Sequence, residues 1–381
     1  MRVTMVNKYY PPHIGGIEHH MRDLATALVA HGHGVRAIVA NEGPETLVET
    51  LDGVEVRRLG RLFAYASTPV ALSMPSVIRA EASTPDAPDL LHLHFPYPWG
   101  EVAWLRAVDA LERRGLPTVM TYHSDIVRQK ALLALYEPLL RRVLDRVDLV
   151  MASSPNLIEH SPYLSRIAEK CRVCPFGIPA ERYESTPELE ARAAELRAGH
   201  ERPIVLFVGR LIYYKGAEVL VRAMAEVDAD LVMIGRGPLK AELEALAVSL
   251  SIANRVRFVD PVGDAELAAW YRAAAVFCLP SVARSEAFGL VQLEAHASGT
   301  PVVATNLTTG VPFVNQHEVT GLNVEPGDPA ALADALRTLV ADESLRERLG
   351  RQAYERVYAE FTTARMVERV LRVYHEARGV A

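Results

Sequence analysis

The chain has 381 residues, 50% of them hydrophobic and 23% charged, with 41 basic against 47 acidic side chains and a net charge of −6. That length predicts two domains, each large enough for its own core, in an ordinary globular mixture. The mildly acidic balance argues against a nucleic-acid partner held by phosphate neutralisation, and no apolar run approaches a membrane span.

Along the chain, short β-branched runs alternate with amphipathic stretches, the pattern of parallel sheets covered by helices on both faces. The first residues enter a strand directly, without the n-region, h-region and cleavage site of a signal peptide, so a cytoplasmic protein is expected. In the first half, strands are predicted near 3–7, 35–40, 54–59, 90–94, 118–121 and 149–152. Helices are predicted over 17–30, about 70–82, 101–114 and 130–144. The first loop, NKYYPPHIGGIEHH, lacks the G-x-G-x-x-G spacing of a dinucleotide fold. Gly15 and Gly16, just before a helix, can let backbone N–H groups approach a phosphate or a leaving group. Glu18 fits the first turn as a complement to the helix dipole, with acceptor contact as the alternative.

His92 and His94 share one face of a strand and could in principle bind a metal. No third ligand stands at useful spacing, so both are expected in the core or a cleft wall, with no metal. The run VMTYHSDIVRQ puts His123 and Asp125 at a strand's carboxyl end, a better place for ligand contact than for packing. The stretch 130–146 carries Lys130, Arg141, Arg142 and Arg146, with Arg128 just before it. Against these stand Leu132, Leu133, Leu135, Leu139 and Leu140, with Pro138 as a possible kink. Such a helix can lie on anionic lipid, or turn its apolar face into the core. Cys171 and Cys174 form a C-x-x-C, but residues three apart on a strand face opposite sides and Cys278 stands alone. Buried structural thiols are expected.

The Pro and Gly residues of 174–179 break the rhythm and mark a domain boundary near Gly177. A helix over 187–197 follows, with Thr186 as N-cap and Pro187 at its first position, then a strand at 204–208. In FVGRLIYYKG, residues 207–216, Arg210 offers a planar fork for phosphate oxygens and Lys215 a compact charge. Next, Gly235-Arg236-Gly237-Pro238 turns from strand to helix and permits close backbone approach, as an ordinary glycine-rich turn also would. The last motif is SEAFGLVQLEA, residues 285–295, after a strand at 276–279 and opening a helix at about 290–298. Glu286 sits in the loop and Glu294 just over a turn into the helix. Between them Phe288, Gly289 and Leu290 carry the N–H groups of a helix N-terminus, which favour an anion. Two carboxylates repel phosphate, so they suit hydroxyls. Hydroxyls on both sides of a phosphate describe a nucleotide sugar.

The paired glutamates, with Arg210 and Lys215 upstream, resemble the signature of retaining family-4 glycosyltransferases of the GT-B fold. The resemblance implies an α/β protein of two Rossmann-like domains facing across a central cleft. Residues 1–176 would form the acceptor domain and 177–360 the donor domain, with 361–381 packing back on the first. It further implies that Arg210 and Lys215 hold the donor diphosphate, that Gly235, Arg236 and Gly237 lie near the base, and that His123 meets a sugar hydroxyl. His123, Glu286, Arg210 and Lys215 are then the catalytic set; Glu294 takes the ribose, Gly15 and Gly16 face the cleft, and Glu18 and Asp125 lie toward the acceptor. The expected chemistry is retaining, with neither cofactor nor metal. Helix amides and the two cations replace the divalent ion, and the leaving phosphate deprotonates the acceptor.

One departure from the family pattern is informative. Where a Gly-Gly-x-Pro-Glu run is common, this chain reads NLTTGVPFVN, without the second glycine and the glutamate. With LHLHFPYPWG, PFGIP and VNQHEVTGL, it resembles the bacterial subgroup that builds O-antigen and exopolysaccharide, commonly from GDP-mannose or a related GDP-sugar. A glycan or lipid-linked saccharide acceptor, met at the inner face of the cytoplasmic membrane, is the implied partner. A UDP-sugar donor, or an epimerase or phosphorylase of the same fold, are the alternatives. A nucleotide-dependent oxidoreductase is disfavoured by the missing G-x-G-x-x-G.

Overall fold

The computed structural model describes residues 1–13, 15–65, 68–84, 86–126 and 130–380, with the side chains of 130–135 excepted. The chain divides into two compact units, Met1–Phe176 with Thr363–Ala381, and Gly177–Thr362.

The first unit runs β1 (Arg2–Val6), α1 (Gly16–Ala30), β2 (Gly34–Ala40), β3 (Leu47–Leu51), β4 (Val54–Leu59), β5 (Phe63–Tyr65), β6 (Thr68–Val70) and α2 (Met74–Ala80). It continues through β7 (Leu90–Phe95), α3 (Pro98–Arg114), β8 (Thr118–Tyr122), α4 (Lys130–Arg146), β9 (Leu149–Ala152), α5 (Pro155–His160) and β10 (Cys171–Val173). Its main sheet has the order β10-β9-β8-β7-β1-β2-β4-β3, parallel except for the antiparallel edge strand β3. Strands β7, β8 and β9 are buried along their whole length, as strands covered on both faces must be. One face packs Trp104, Val108 and Leu111 of α3 with Leu140, Val143 and Leu144 of α4. The other packs Met21, Leu24 and Leu28 of α1.

The second unit runs α6 (Pro187–Ala198), β11 (Ile204–Val208), α7 (Ala217–Ala223), β12 (Asp230–Ile234), α8 (Lys240–Ser249), β13 (Val256–Val259), α9 (Asp264–Ala273) and β14 (Val276–Leu279). Then come α10 (Leu290–Ala297), β15 (Val302–Thr305), α11 (Val311–Val314), β16 (Gly321–Val324), α12 (Pro329–Ala341) and α13 (Glu343–Glu360). Its sheet is parallel throughout, in the order β13-β12-β11-β14-β15-β16. The last helix, α14 (Thr363–Ala377), returns to the first unit, where Met366, Val367, Val370 and Tyr374 join the core face of α1.

Both sheets reverse direction of winding at one place, between β1 and β7 in the first unit and between β11 and β14 in the second. Doubly wound sheets bind ligands outside the carboxyl ends of the strands at such switch points. In the second unit those ends lead into the Arg210–Lys215 loop and the Glu286 loop. In the first they lead into the Gly15–Gly16 loop and past His94.

Several local expectations are corrected. The helix expected over 70–82 is the shorter α2, because Thr68–Val70 pairs with Phe63–Tyr65 in an antiparallel hairpin. The helix expected from 101 starts at Pro98, a position where the missing N–H of proline has no partner to lose. Strand β3 was not expected; four of its five residues are exposed, so it carries no alternation to read.

Thr186 caps α6 by accepting from the Leu189 N–H at 3.2 Å. The cysteines are all free and buried, with Cys171 in the core face of α3 and Cys174 in that of α1, so their thiols diverge. In α4, Leu140 lies in the core and Leu139 packs against it, while Arg141 pairs with Glu137 and Arg146 with Asp109 and Glu112. Arg128 and the side chains of Lys130, Leu132, Leu133 and Leu135 lie outside the described residues. Among the described residues no helix is long and apolar enough to cross a membrane.

Candidate functional site

The second unit brings two of the sequence motifs into direct contact. Lys215 Nζ lies 2.5 Å from Glu286 Oε2, with the two side chains 12% and 9% exposed. Ser281 donates its hydroxyl to the same carboxylate oxygen at 3.1 Å. The loops that carry the pair are fastened to each other. Gly216 has φ +67°, and a Cβ there would stand 1.8 Å from the Pro280 carbonyl oxygen, so only glycine lets the Lys215 turn close on the loop after β14. Val282 N–H donates to Tyr214 O at 2.8 Å across the same junction. Thr309 Oγ1 and the Gly310 N–H donate to the carbonyls of Glu286 and Ala287 and fix the loop from its other side.

Arg210 stands exposed next to this pair, its guanidinium 3.3 Å from the Tyr214 hydroxyl. At the start of α10, Gly289 has φ +73° and Phe288 is 2% exposed, its ring turned against Phe361. Phe288 therefore offers its backbone and not its ring. Glu294, one turn on, is half-buried and accepts from the Tyr271 hydroxyl at 2.7 Å. Desolvation pushes its carboxyl up to about 7, against the opposing pull of the Tyr271 hydrogen bond.

Gly235 and Gly237 have a demand of their own. A Cβ at these positions would meet the carbonyl oxygens of Gly209 at 1.9 Å and Leu211 at 2.2 Å. The glycines thus let the turn after β12 lie against the turn after β11, whatever else they contact. Arg236 forms an exposed pair with Asp260 at 3.0 Å.

In the first unit, Gly15 is the extended residue before α1 and Gly16 its first residue. Glu18 is 7% exposed and folds back over Gly15, where a Cβ would meet its Oε2 at 2.1 Å. Asp125 Oδ1 accepts from the Tyr122 hydroxyl at 2.9 Å and the Ser161 hydroxyl at 2.7 Å, which holds the carboxylate beside β8.

The histidines correct the sequence reading. His92 is a core residue, bonded to Tyr374 Oη at 2.8 Å and Thr121 Oγ1 at 2.7 Å. His94, however, is not left without companions. Its Nδ1 lies 3.0 Å from His123 Nε2, and His20 of α1 completes a buried cluster with one nitrogen from each ring within 4.8 Å of the others. Burial pushes His20 down to about 3 and holds His94 and His123 well below the usual histidine range, so all three are neutral at pH 7. The cluster draws on a helix, a strand and a loop, so no local spacing announces it. Ser281 and Tyr271 were missed for the same reason: each reaches the motif residue it bonds from a different element.

Two family models match the chain: one described as Glycosyl transferases group 1 over residues 190–356, the other as Glycosyltransferase Family 4 over residues 14–182. The chain is 35% identical over 365 residues to the D-rhamnosyltransferase WbpZ of Pseudomonas aeruginosa, covering 95% of this chain and 92% of that protein. It is 33% identical over 375 residues to the O-antigen chain mannosyltransferase C of Escherichia coli, covering 98% of each. Among solved structures, sucrose-phosphate synthase from Thermosynechococcus elongatus matches with a TM-score of 0.79 at 27% identity over 98% of both chains. HepE of Anabaena, solved in complex with UDP, matches with a TM-score of 0.78 at 19% identity over 99% of this chain and 100% of its own, a likeness of fold alone.

Proposed function

The chain belongs to glycosyltransferase family 4, with the GT-B fold of two Rossmann-like units, and from that premise we propose which sugar it moves and how. The donor is a nucleotide diphosphate hexose, GDP-mannose or a related GDP-sugar, and the acceptor a glycan or lipid-linked saccharide of bacterial surface polysaccharide. Support for that substrate class comes from the rhamnosyl- and mannosyltransferase relatives, each matched over nearly its whole length. The observation that carries the site is the Lys215–Glu286 pair, formed by the two loops that leave the switch point of the second sheet.

The reaction replaces the bond between the anomeric carbon and the diphosphate with one to the acceptor oxygen, on the same face of the sugar. Arg210, Lys215 and the N–H groups of Phe288, Gly289 and Leu290 take up the charge that develops on the departing phosphate. In the free protein Glu286 neutralises Lys215; an arriving diphosphate takes over that role and frees the carboxylate for a sugar hydroxyl. Glu294 accepts from the ribose, and the turn of Gly235, Arg236 and Gly237 lies by the base. His123 bonds a hydroxyl of the transferred sugar, and the Gly15–Gly16 amides face the phosphate. Glu18 and Asp125 stand toward the acceptor. The departing phosphate collects the acceptor's proton, so no divalent metal takes part.

A melting screen with GDP, UDP and ADP tests the donor class, since a ligand raises apparent stability with the logarithm of its concentration over its dissociation constant. GDP is expected to give the largest rise, followed by GDP release from GDP-mannose only when an acceptor is present. A larger rise with UDP would move the donor to the UDP-sugars.

A further inference from the structure

The three-histidine cluster of the first unit is more than the proposed transfer needs, since that transfer uses His123 alone. His20 is 6% exposed, yet among the described residues neither of its ring nitrogens has a hydrogen-bond partner. His94 is 1% exposed, and its Nε2 is buried without a partner. Buried polar groups in native proteins are nearly always satisfied, and an unsatisfied set signals a missing water, ion or ligand. Here the unsatisfied atom is His94 Nε2, in a group of imidazoles that converge with one nitrogen from each ring within 4.8 Å of the others, packed beside Phe176.

We propose that His20, His94 and His123 bind one zinc-class divalent transition-metal ion, with a fourth position open to water or an anion. Two observations on geometry carry this. The His94 Nδ1 to His123 Nε2 distance is 3.0 Å, close to the edge of about 3.3 Å set by a tetrahedral ion with Zn–N bonds near 2.0–2.1 Å. One nitrogen from each of the three rings lies within 4.8 Å of the others. The ligand set also selects the ion. Neutral imidazoles without a carboxylate suit zinc, cobalt, nickel and copper, and reject magnesium, calcium and manganese, which want oxygen. Hydrogen bonds with the Tyr374 and Thr121 hydroxyls, one at each ring nitrogen, keep His92 out of the set.

The consequence follows from His123, and it alone rests on the proposed function. With Nε2 on the metal, His123 keeps its proton on Nδ1 and can no longer accept from a sugar hydroxyl, so an ion in this site inhibits transfer. The site is thus a zinc-sensitive brake on an enzyme whose chemistry needs no metal.

The test uses the whole protein, stripped with a chelator and dialysed. Cobalt is expected to bind once per chain with the intense visible bands of a tetrahedral nitrogen site, and zinc to displace it. His20→Phe and His94→Phe should each weaken zinc binding by on the order of a hundredfold or more. Melting without metal checks that each variant is folded; if His94→Phe is not, His20→Phe decides alone, since its ring replaces an imidazole already packed against Phe176. A wild-type protein that takes up neither ion at micromolar concentration overturns the proposal, as does equal affinity in wild type and His20→Phe. In the transferase assay, zinc should inhibit wild type, EDTA should reverse it, and His20→Phe should be resistant. Bound zinc without inhibition would leave the metal site standing and remove His123 from the sugar contact.

Discussion

Replacing Glu294 with glutamine separates what this residue does for the fold from what it does for the donor. The folded chain holds the Glu294 proton more tightly than the unfolded chain, its carboxyl raised from 4.5 to about 7 by burial. Its ionisation therefore costs the fold nothing below pH 4.5, and a penalty that grows from there and is complete above 7. A shift of about 2.5 units corresponds to roughly 3.4 kcal/mol; partial exposure of the side chain reduces the expectation to about 2 kcal/mol. Glutamine removes the charge and keeps an oxygen for the Tyr271 hydroxyl. The variant should exceed wild type by only about 0.5 kcal/mol at pH 5 and by about 2 kcal/mol at pH 8, the latter a rise in melting temperature on the order of 4–8 °C for a unit of this size. Donor binding should move the other way, because an ionised acceptor for the ribose hydroxyls is lost: the Michaelis constant rises with little change in turnover. Melting scans of the free protein from pH 5 to 9, with steady-state kinetics at pH 8, measure both. A variant less stable than wild type at pH 8, or a stability gap that does not change with pH, would refute the reasoning.

Other outcomes follow from the proposed function. Glu286→Gln should lower turnover by on the order of a hundredfold, because its contact with the sugar strengthens as the bond to phosphate breaks; a defect confined to the Michaelis constant would contradict this. Arg210→Ala and Lys215→Ala should impair both constants, since these cations hold the phosphate before and during departure, and a kinetically silent variant of either would count against the phosphate role. Gly216→Ala forces a side chain to φ +67° against the Pro280 carbonyl, so a loss of at least about 2 kcal/mol and a weaker donor affinity are expected; unchanged melting would show that the two loops are not fastened there. Activity should survive EDTA, and its loss with recovery on adding magnesium would sink the metal-independent mechanism. If the basic helix of 130–146 meets anionic lipid, vesicles should co-sediment the protein at low salt and release it as salt rises, with Arg142→Glu weakening the contact; no sedimentation at low salt leaves this helix with its core-packing role alone.

The fold was readable because its signal is local. Each buried strand of the two sheets is a short β-branched run between amphipathic helices, and the family's motifs fall at the carboxyl ends of those strands. What the sequence could not yield was pairing across elements. Lys215 and Glu286 were each read toward the ligand, Lys215 for the phosphate and Glu286 for the sugar, while the free protein turns them toward each other. That pairing carries an argument of its own. A cation and a carboxylate this far from water hold each other until a stronger anion arrives, and breaking the pair without a replacement would strand both charges. A diphosphate offers Lys215 more negative charge than Glu286 does, and hands Glu286 the task of accepting from a hydroxyl beside it. A nucleoside diphosphate sugar supplies both groups at once; a bare phosphate supplies the first alone, and leaves the Glu286 carboxylate buried with, among the described residues, only Ser281 to satisfy it. On the proposed function, the pair would thus select for a phosphate joined to a hydroxylated group, independently of any contact with the base.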